Sequence, residues 1–353
     1  MKVGRPEISR SKAMKVSAQP QLSIVIPTCN PEERILSRVV RAIESLERDN
    51  GSSVECVIVD NNSERPVKEL ACVKDFLDRC TWAEVIEEPR QGVNFARIAG
   101  IKATTAPAIV FFDDDNEPSR NYLSVARRCL EEWPSVAIWG PGRISVVFLD
   151  PVPDSFRQSF REAFNERHQQ YPEYGCVLAS WTHFYPAGMG QVVRREVVEQ
   201  YIETVESGLL TFMGRMNGSL AGAEDVQLVW EAVKMGYAAG VHPQLQMTHM
   251  IPARRSNVPY VKRLTFGRAW SYSPARVESF PSERANFSNR IPSNAYILRG
   301  ILQITSRELL RLRVSYLTVE LAGFLGEVVG ALRAARSKKR KWVFGLVKLL
   351  KLE

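Results

Sequence analysis

The stretch Ala108-Ile-Val-Phe-Phe-Asp-Asp-Asp-Asn116 is apolar and then stops at three adjacent carboxylates. A short apolar run with that abrupt end reads as a strand buried on both faces, which puts Asp113, Asp114 and Asp115 at its carboxyl end. Open α/β sheets bind ligands at that end of their strands. Three neighbouring carboxylates repel one another, so a cation or abundant water has to offset their charge. A divalent metal bound to a diphosphate meets that requirement.

Upstream of this stretch the chain alternates. Leu22-Ser-Ile-Val-Ile26 reads as a strand closed by Pro27-Thr-Cys-Asn-Pro31. Ile35, Leu36, Val39, Val40, Ile43 and Leu46 then recur at helical spacing. Val54-Glu-Cys-Val-Ile-Val59 is a second strand ending in Asp60-Asn-Asn-Ser63, which completes a βαβ unit. Further helices are expected over 70–77, 94–103 and 120–133, with strands near 83–86 and 136–139. Gly140-Pro-Gly142 and Gly188-Met-Gly190 lack the third glycine of a dinucleotide fingerprint and read as turns. Alternating β and α elements predict a mostly parallel sheet with helices on both faces.

The 353 residues are 45% hydrophobic, enough for a substantial core. The net charge of +8 is local: Arg333, Arg336, Lys338, Lys339, Arg340, Lys341, Lys348 and Lys351 carry as much positive charge with no acid among them. These bases alternate with Trp342, Val343, Phe344 and Leu346, a mixture suited to an anionic membrane surface, and no nucleic-acid partner is expected. The opposing reading packs the tail on its own domain or on a second subunit. Six cysteines without a CxxC pair indicate reduced thiols and a cytoplasmic protein, peripheral to the inner face of a membrane if the tail docks there. Residues 1–20 read as a flexible basic arm, 256–300 as a loop-rich basic segment, and 301–353 as an amphipathic helical extension, with a helix from Arg307 to Leu332.

Thr28, Asp60, Asp113 to Asp115 and His249 all fall at strand ends, and Glu224-Asp225 opens a helix. Neighbouring parallel strands present their carboxyl ends side by side, so these distant groups share one crevice. Taken singly, each has a plainer reading: Asp60 as a turn residue, Asp225 as a carboxylate on a helix dipole, His249 as a hydrogen-bonded core histidine.

Taken together, Val25-Ile-Pro-Thr-Cys-Asn, Val57-Ile-Val-Asp-Asn-Asn-Ser, Gln91-Gly-Val-Asn-Phe-Ala-Arg, Phe112-Asp-Asp-Asp and Gly222-Ala-Glu-Asp resemble family 2 glycosyltransferases of bacterial glycan biosynthesis. The resemblance covers residues 21–255 and implies a GT-A fold, with a nucleotide-binding half over 21–150 and an acceptor half over 151–255. It implies an inverting enzyme that uses a nucleotide-diphosphate sugar, by family habit a UDP-sugar, together with Mn2+ or Mg2+. Guanosine and thymidine donors stay open. By the same resemblance Pro27, Thr28, Asp60, Arg97 and Asp113 bind the nucleotide, Asp115 and His249 the metal, and Asp225 is the catalytic base. Asp114, Trp181, Glu224 and Arg254 are candidate donor or acceptor contacts, with Arg255 beside Arg254, and Trp181, His183 and Tyr185 either stack on a sugar or serve packing. The implied acceptor is a glycan or lipid-linked hydroxyl. An alternative is a catalytically inactive scaffold that only binds the nucleotide sugar. A nucleotidyltransferase would need a glycine-rich basic loop after the first strand, which Pro27-Thr-Cys-Asn-Pro31 is not.

Overall fold

A computed structural model describes residues 20–48, 53–212, 214–215 and 219–352. All but the last position of the expected N-terminal arm lies outside the described residues. The first part of the chain runs β1 (Leu22–Thr28), α1 (Glu33–Glu44), β2 (Val54–Asp60), α2 (Ala71–Arg79), β3 (Ala83–Glu87) and α3 (Val93–Lys102), then β4 (Ala108–Phe111), β5 (Asn116–Pro118), α4 (Tyr122–Glu132) and β6 (Val136–Phe148). The next part holds α5 (Asp154–Phe160), the short strands β7 (Arg167–His168), β8 (Glu173–Gly175) and β9 (Val192–Arg194), then α6 (Arg195–Glu206), α7 (Glu224–Lys234) and β10 (Ala238–Ile251). Five helices follow: α8 (Val258–Ser279), α9 (Glu283–Asn289), α10 (Asn294–Leu310), α11 (Val314–Ala334) and α12 (Lys341–Leu349).

Every residue of β1 is buried, and successive side chains on a strand face opposite ways, so this strand needs cover on both sides. Ile24 and Ile26 pack with Leu36, Val39 and Ile43 of α1. Val25 packs with Ala96 and Ile101 of α3 and, further along the same layer, with Val197 of α6 and Val229 of α7. The strand order is β3-β2-β1-β4-β9-β6-β10-β5. Pairings within β3-β2-β1-β4 and between β6 and β10 are parallel, while β9 and β5 run antiparallel to their neighbours. The mostly parallel sheet flanked by helices is thus as the alternating pattern predicts. The cysteines are free thiols, of which Cys29 and Cys176 are exposed.

Three local expectations are corrected. Gly140-Pro-Gly142 is no turn but the middle of β6, where the absent side chains admit close neighbours: a Cβ on Gly140 would lie 2.3 Å from Pro186, and one on Gly142 2.7 Å from the His242 backbone. The segment 256–300 is largely helical, not loop-rich. Asn257 caps α8 by accepting the Tyr260 N–H at 2.9 Å, and Pro259 sits in its first turn, where no donor is needed. Its apolar residues form no single stripe because α8 is covered on several sides, by α7, α11 and the loop ending at Ala221, so the helical period is hidden. Finally, the helix expected from Arg307 to Leu332 is broken between α10 and α11, where Leu312 takes a left-handed φ of 55°.

Helix α11 is long and apolar enough to cross a membrane by length and composition. Here Ala322, Leu325, Val329 and Leu332 are buried in a cluster with Phe266 of α8. The two helices approach backbone to backbone. Pro274 cannot offer the N–H that would bond the Trp270 carbonyl, and Gly330 packs against that oxygen, where a Cβ would come within 2.8 Å. A Cβ on Gly326 would lie 2.7 Å from Ala269 Cβ and 2.8 Å from the Phe266 carbonyl oxygen. Gly345 of α12, by contrast, faces open space. Gly326→Ala is expected to cost about 1–3 kcal/mol through overpacking, and Gly345→Ala to gain up to about 1 kcal/mol through helix propensity. Thermal unfolding of the two variants should move the melting temperature in opposite directions. Equal shifts would refute the close contact.

Candidate active site

The parallel register aligns Thr28 with Asp60 and Val25 with Phe111, so β2, β1 and β4 deliver their carboxyl ends to one rim. A cleft of about 820 Å³ opens there, and Pro27, Thr28, Arg97, Asp113, Asp114, Asp115, Trp181, Glu224, Asp225 and Arg254 all line it. The structure therefore gathers most of the residues singled out by sequence into one place.

Each carboxylate of the run has its own partner. Asp113 accepts a hydrogen bond from Arg97 Nη2 at 3.3 Å. Asp114 accepts one from the Thr28 hydroxyl at 2.6 Å. Asp115 accepts one from Asn116 Nδ2 at 2.8 Å on its first oxygen, and its second is ion-paired with Arg255 and lies 3.6 Å from His249 Nε2. Burial works to raise the Asp115 carboxyl, but the charges of Arg255 and His249 outweigh it and hold it well below the usual range. Asp114 goes the other way, pushed up first by burial and second by the Asp115 charge.

His249 is buried, and its Nδ1 lies 2.8 Å from the Phe164 carbonyl oxygen. A carbonyl only accepts, so Nδ1 carries the hydrogen and Nε2 turns toward Asp115. His249 is not among the cleft-lining residues; it stands behind Asp115, with a carbonyl on its far nitrogen as metal-binding histidines have. Among the described residues no three of His, Cys, Asp and Glu gather into a metal cage. Two protein donors, one a hard oxygen, nevertheless suit a cation that takes its remaining ligands from a diphosphate and water. Arg255 balances the Asp115 charge at the same oxygen.

Arg97 is the buried junction of the site. Its Nη2 also donates to the Gly188 carbonyl at 3.3 Å, and its Nη1 lies 3.8 Å from Glu224. Gly188 has no side chain to spare: a Cβ would lie 2.9 Å from Arg97 and 3.0 Å from Asp225. Asp225, at the start of α7, accepts the Gly188 N–H at 2.9 Å and its neighbour Val226 N–H at 2.9 Å. These bonds orient the carboxylate and leave it lone pairs facing the cleft.

Some expected residues stand elsewhere. Asp60 is not among the cleft-lining residues; its oxygens accept the Ser63 N–H at 3.0 Å and the Val67 N–H at 2.8 Å, so it shapes the loop after β2. Asn61 lines the cleft instead and accepts the Gly92 N–H at 2.8 Å. Arg254 pairs with Glu32 at the rim, 2.7 Å apart, and it is Arg255 that reaches Asp115. Of the three aromatics, Trp181 alone faces the cleft: Tyr185 is fully buried, and His183 is exposed with Glu173 at 2.8 Å. Sequence reasoning missed the wall formed by α8 and α11, to which Thr265, Arg268, Tyr272, Gly323 and Glu327 belong, and Arg215 near it. The one signal for it was the three- and four-residue spacing of Thr265, Arg268, Ala269 and Tyr272.

The mostly parallel sheet with a cleft at the carboxyl ends of its strands is that of a GT-A glycosyltransferase. Residues 23–202 match glycosyl transferase family 2, and the chain belongs to that family. Asp225 and His249 lie beyond the matched span. No curated protein sequence matches significantly. Among solved structures the chain is similar to the mannosyltransferase PcManGT from Pyrobaculum calidifontis in complex with GDP-Man and Mn2+, at 16% identity and a TM-score of 0.50, over 92% of this chain and 89% of that one. The likeness bears on the fold.

Glu224 is buried, and its carboxyl is pushed up first by burial and then by Asp225, with Arg97 opposing. A carboxyl raised by folding contributes stability at low pH that is lost as pH rises through its folded pKa. Glu224→Gln is therefore expected to raise the melting temperature at pH 8, the gain shrinking toward pH 4, where the wild-type side chain is also neutral. A gain independent of pH would show that charge is not its source.

Proposed function

We propose that this glycosyltransferase moves one hexose from a nucleotide-diphosphate sugar to an acceptor hydroxyl in a single, inverting displacement. The observation that carries the reading is one cleft lined by both Asp115, with the buried His249 3.6 Å behind it, and the backbone-oriented Asp225. When bound, Mn2+ or Mg2+ held by Asp115 and His249 supplies Lewis-acid charge to the departing diphosphate. Asp225 takes the proton of the acceptor hydroxyl as that oxygen attacks the anomeric carbon. A single attack from the opposite face inverts the centre and needs no carboxylate nucleophile. Arg97 fixes Asp113 on the nucleotide side and Gly188 on the base side, so one buried side chain sets the spacing of both. Pro27, Thr28 and Asn61 border the nucleoside end.

Uridine diphosphate sugars are the proposed donors by family habit. The GDP-Man bound by the solved mannosyltransferase supports a guanosine donor as the second reading. A non-catalytic scaffold is disfavoured by Asp113, Asp115 and Asp225 standing intact around the same space. Asp225→Asn is expected to lower turnover about 10²–10⁴-fold while leaving nucleoside diphosphate binding unchanged. Asp115→Asn should abolish the Mn2+-dependent part of the thermal shift given by the preferred nucleoside diphosphate. Release of diphosphate by the wild type, measured against both variants, decides between enzyme and scaffold, and undiminished release by Asp225→Asn would remove that residue from the base role.

The proposed acceptor is a glycan or lipid-linked hydroxyl, reached by a cytoplasmic enzyme on the inner face of a membrane. Support for a membrane surface comes less from the tail than from α10 and the turn that follows it. Val343 and Val347 of α12 are buried against the protein itself. Leu302, Leu310 and Leu312 are 68%, 85% and 89% exposed, with Arg299, Arg311 and Arg313 exposed beside them. Such a face fits an anionic bilayer. Wild type should float with phosphatidylglycerol vesicles, and Leu302→Glu/Leu310→Glu should stay behind. Equal flotation of the two would sink the membrane reading of α10.

A further inference from the structure

The arginines of the cleft divide into two groups. Arg97 pairs with Asp113, Arg255 with Asp115, and Arg254 with Glu32. Arg268 and Arg215 have no carboxylate within ion-pair distance among the described residues. Arg268 rises from α8 on the same face as Thr265 and Tyr272, one helical turn to either side, and that face forms the cleft wall. It donates from Nη1 to the Ala163 carbonyl at 2.9 Å, which anchors the guanidinium and leaves most of its N–H groups for the cleft. Arg215 lines the same space and is exposed to it.

The two guanidiniums stand close enough to feel one another. Burial first, and the charge of Arg215 second, push Arg268 down to about 10, with Asp225 offsetting part of the effect. Holding two like charges together in a partly desolvated wall costs free energy that an anion between them returns. A planar guanidinium with free forked donors is suited to phosphate oxygens. Asp225 is the carboxylate whose charge reaches Arg268, while the charge of Arg215 reaches Glu224 and Asp115, so Arg268 is the member of the pair on the side of the proposed base. The acceptor hydroxyl must come to that side.

We infer that the α8 wall is the acceptor subsite of the cleft and that Arg268 and Arg215 grip a phosphate group carried by the acceptor. The inference rests on the glycosyltransferase reading of the same cleft and adds the charge of the second substrate. A lipid phosphate and a soluble sugar phosphate share this chemistry, and the helical wall is open to both. Tyr272 and Trp181, which also line the space, provide an apolar surface next to the charged pair.

The test is calorimetric. Wild type, Arg215→Ala, Arg268→Ala and Arg268→Lys are first titrated with UDP and GDP in the presence of Mn2+. With the preferred nucleotide saturating, each is then titrated with farnesyl phosphate in detergent and, separately, with glucose 1-phosphate. At least one phosphate compound is expected to bind wild type. Its affinity should fall about tenfold or more in the alanine variants and less in Arg268→Lys, with nucleotide affinity unchanged throughout. Arg215 is exposed, so its alanine variant keeps the test meaningful even if Arg268→Ala folds poorly. Binding of farnesyl phosphate alone assigns a lipid acceptor; binding of glucose 1-phosphate alone assigns a soluble one. The inference is overturned if neither compound binds wild type, if both bind all variants equally, or if nucleotide affinity falls with the arginines, which would transfer the pair to the donor. Failure of any nucleotide to bind wild type would strike the enzymatic reading itself.

Discussion

Negative charge concentrated at the end of a buried strand is the constraint on which this site depends. Residues 113–115 follow β4 after the single buried residue Phe112, and the strand cannot be shifted because all four of its residues are buried between the helical layers. The carboxylates must therefore be balanced where they stand. Arg97 comes from α3, Thr28 from β1, His249 from β10 and Arg255 from the turn beyond it. Four separate parts of the chain converge because the charge would otherwise be uncompensated, and their convergence is what shapes a cleft. The geometry for binding a charged substrate follows from the electrostatics of folding.

The charge on each residue is tuned by its neighbours more than by its chemistry. Asp114 and Asp115 are adjacent and of the same type, yet one is pushed up and the other held down. The difference lies in a hydroxyl partner on one side and two nitrogen bases on the other. Folding in this way favours the charged form of Asp115 and the neutral form of Asp114.

The sheet could be read from the sequence because its central strands are buried on both faces and carry runs of apolar residues too short for helices. The strand-end acids were legible for the same reason: parallel neighbours bring their carboxyl ends together whatever their separation in the chain. Less could be read where tertiary contacts override local pattern. Asp60 sits at a strand end like the others, but the backbone amides of Ser63 and Val67 claim its oxygens, and nothing at position 60 itself reveals that. Arg254 and Arg255 differ only by one peptide, so the path of the chain after β10 decides which pairs with Asp115 and which with Glu32 at the rim. Helix α8 carried no amphipathic stripe since nearly all its sides meet protein or ligand space, and the fourth wall of the site went unseen with it. Gly140 and Gly142 looked like punctuation and serve instead as clearance.

The contact of Gly326 and Gly330 with α8 also bears on modularity. Residues 23–202 carry the family pattern, but the wall of the cleft is built by helices that begin at Val258 and are held by a partner ending at Ala334. A fragment cut after the last strand would keep the sheet and lose one side of the pocket, and a fragment cut between α8 and α11 would leave the α8 face at Phe266, Ala269 and Trp270 open to water. The catalytic unit is accordingly longer than the family motif. Transplanting this cleft wall would mean moving the helical pair as a single block, since Gly323, Gly326 and Gly330 of α11 all pack on α8.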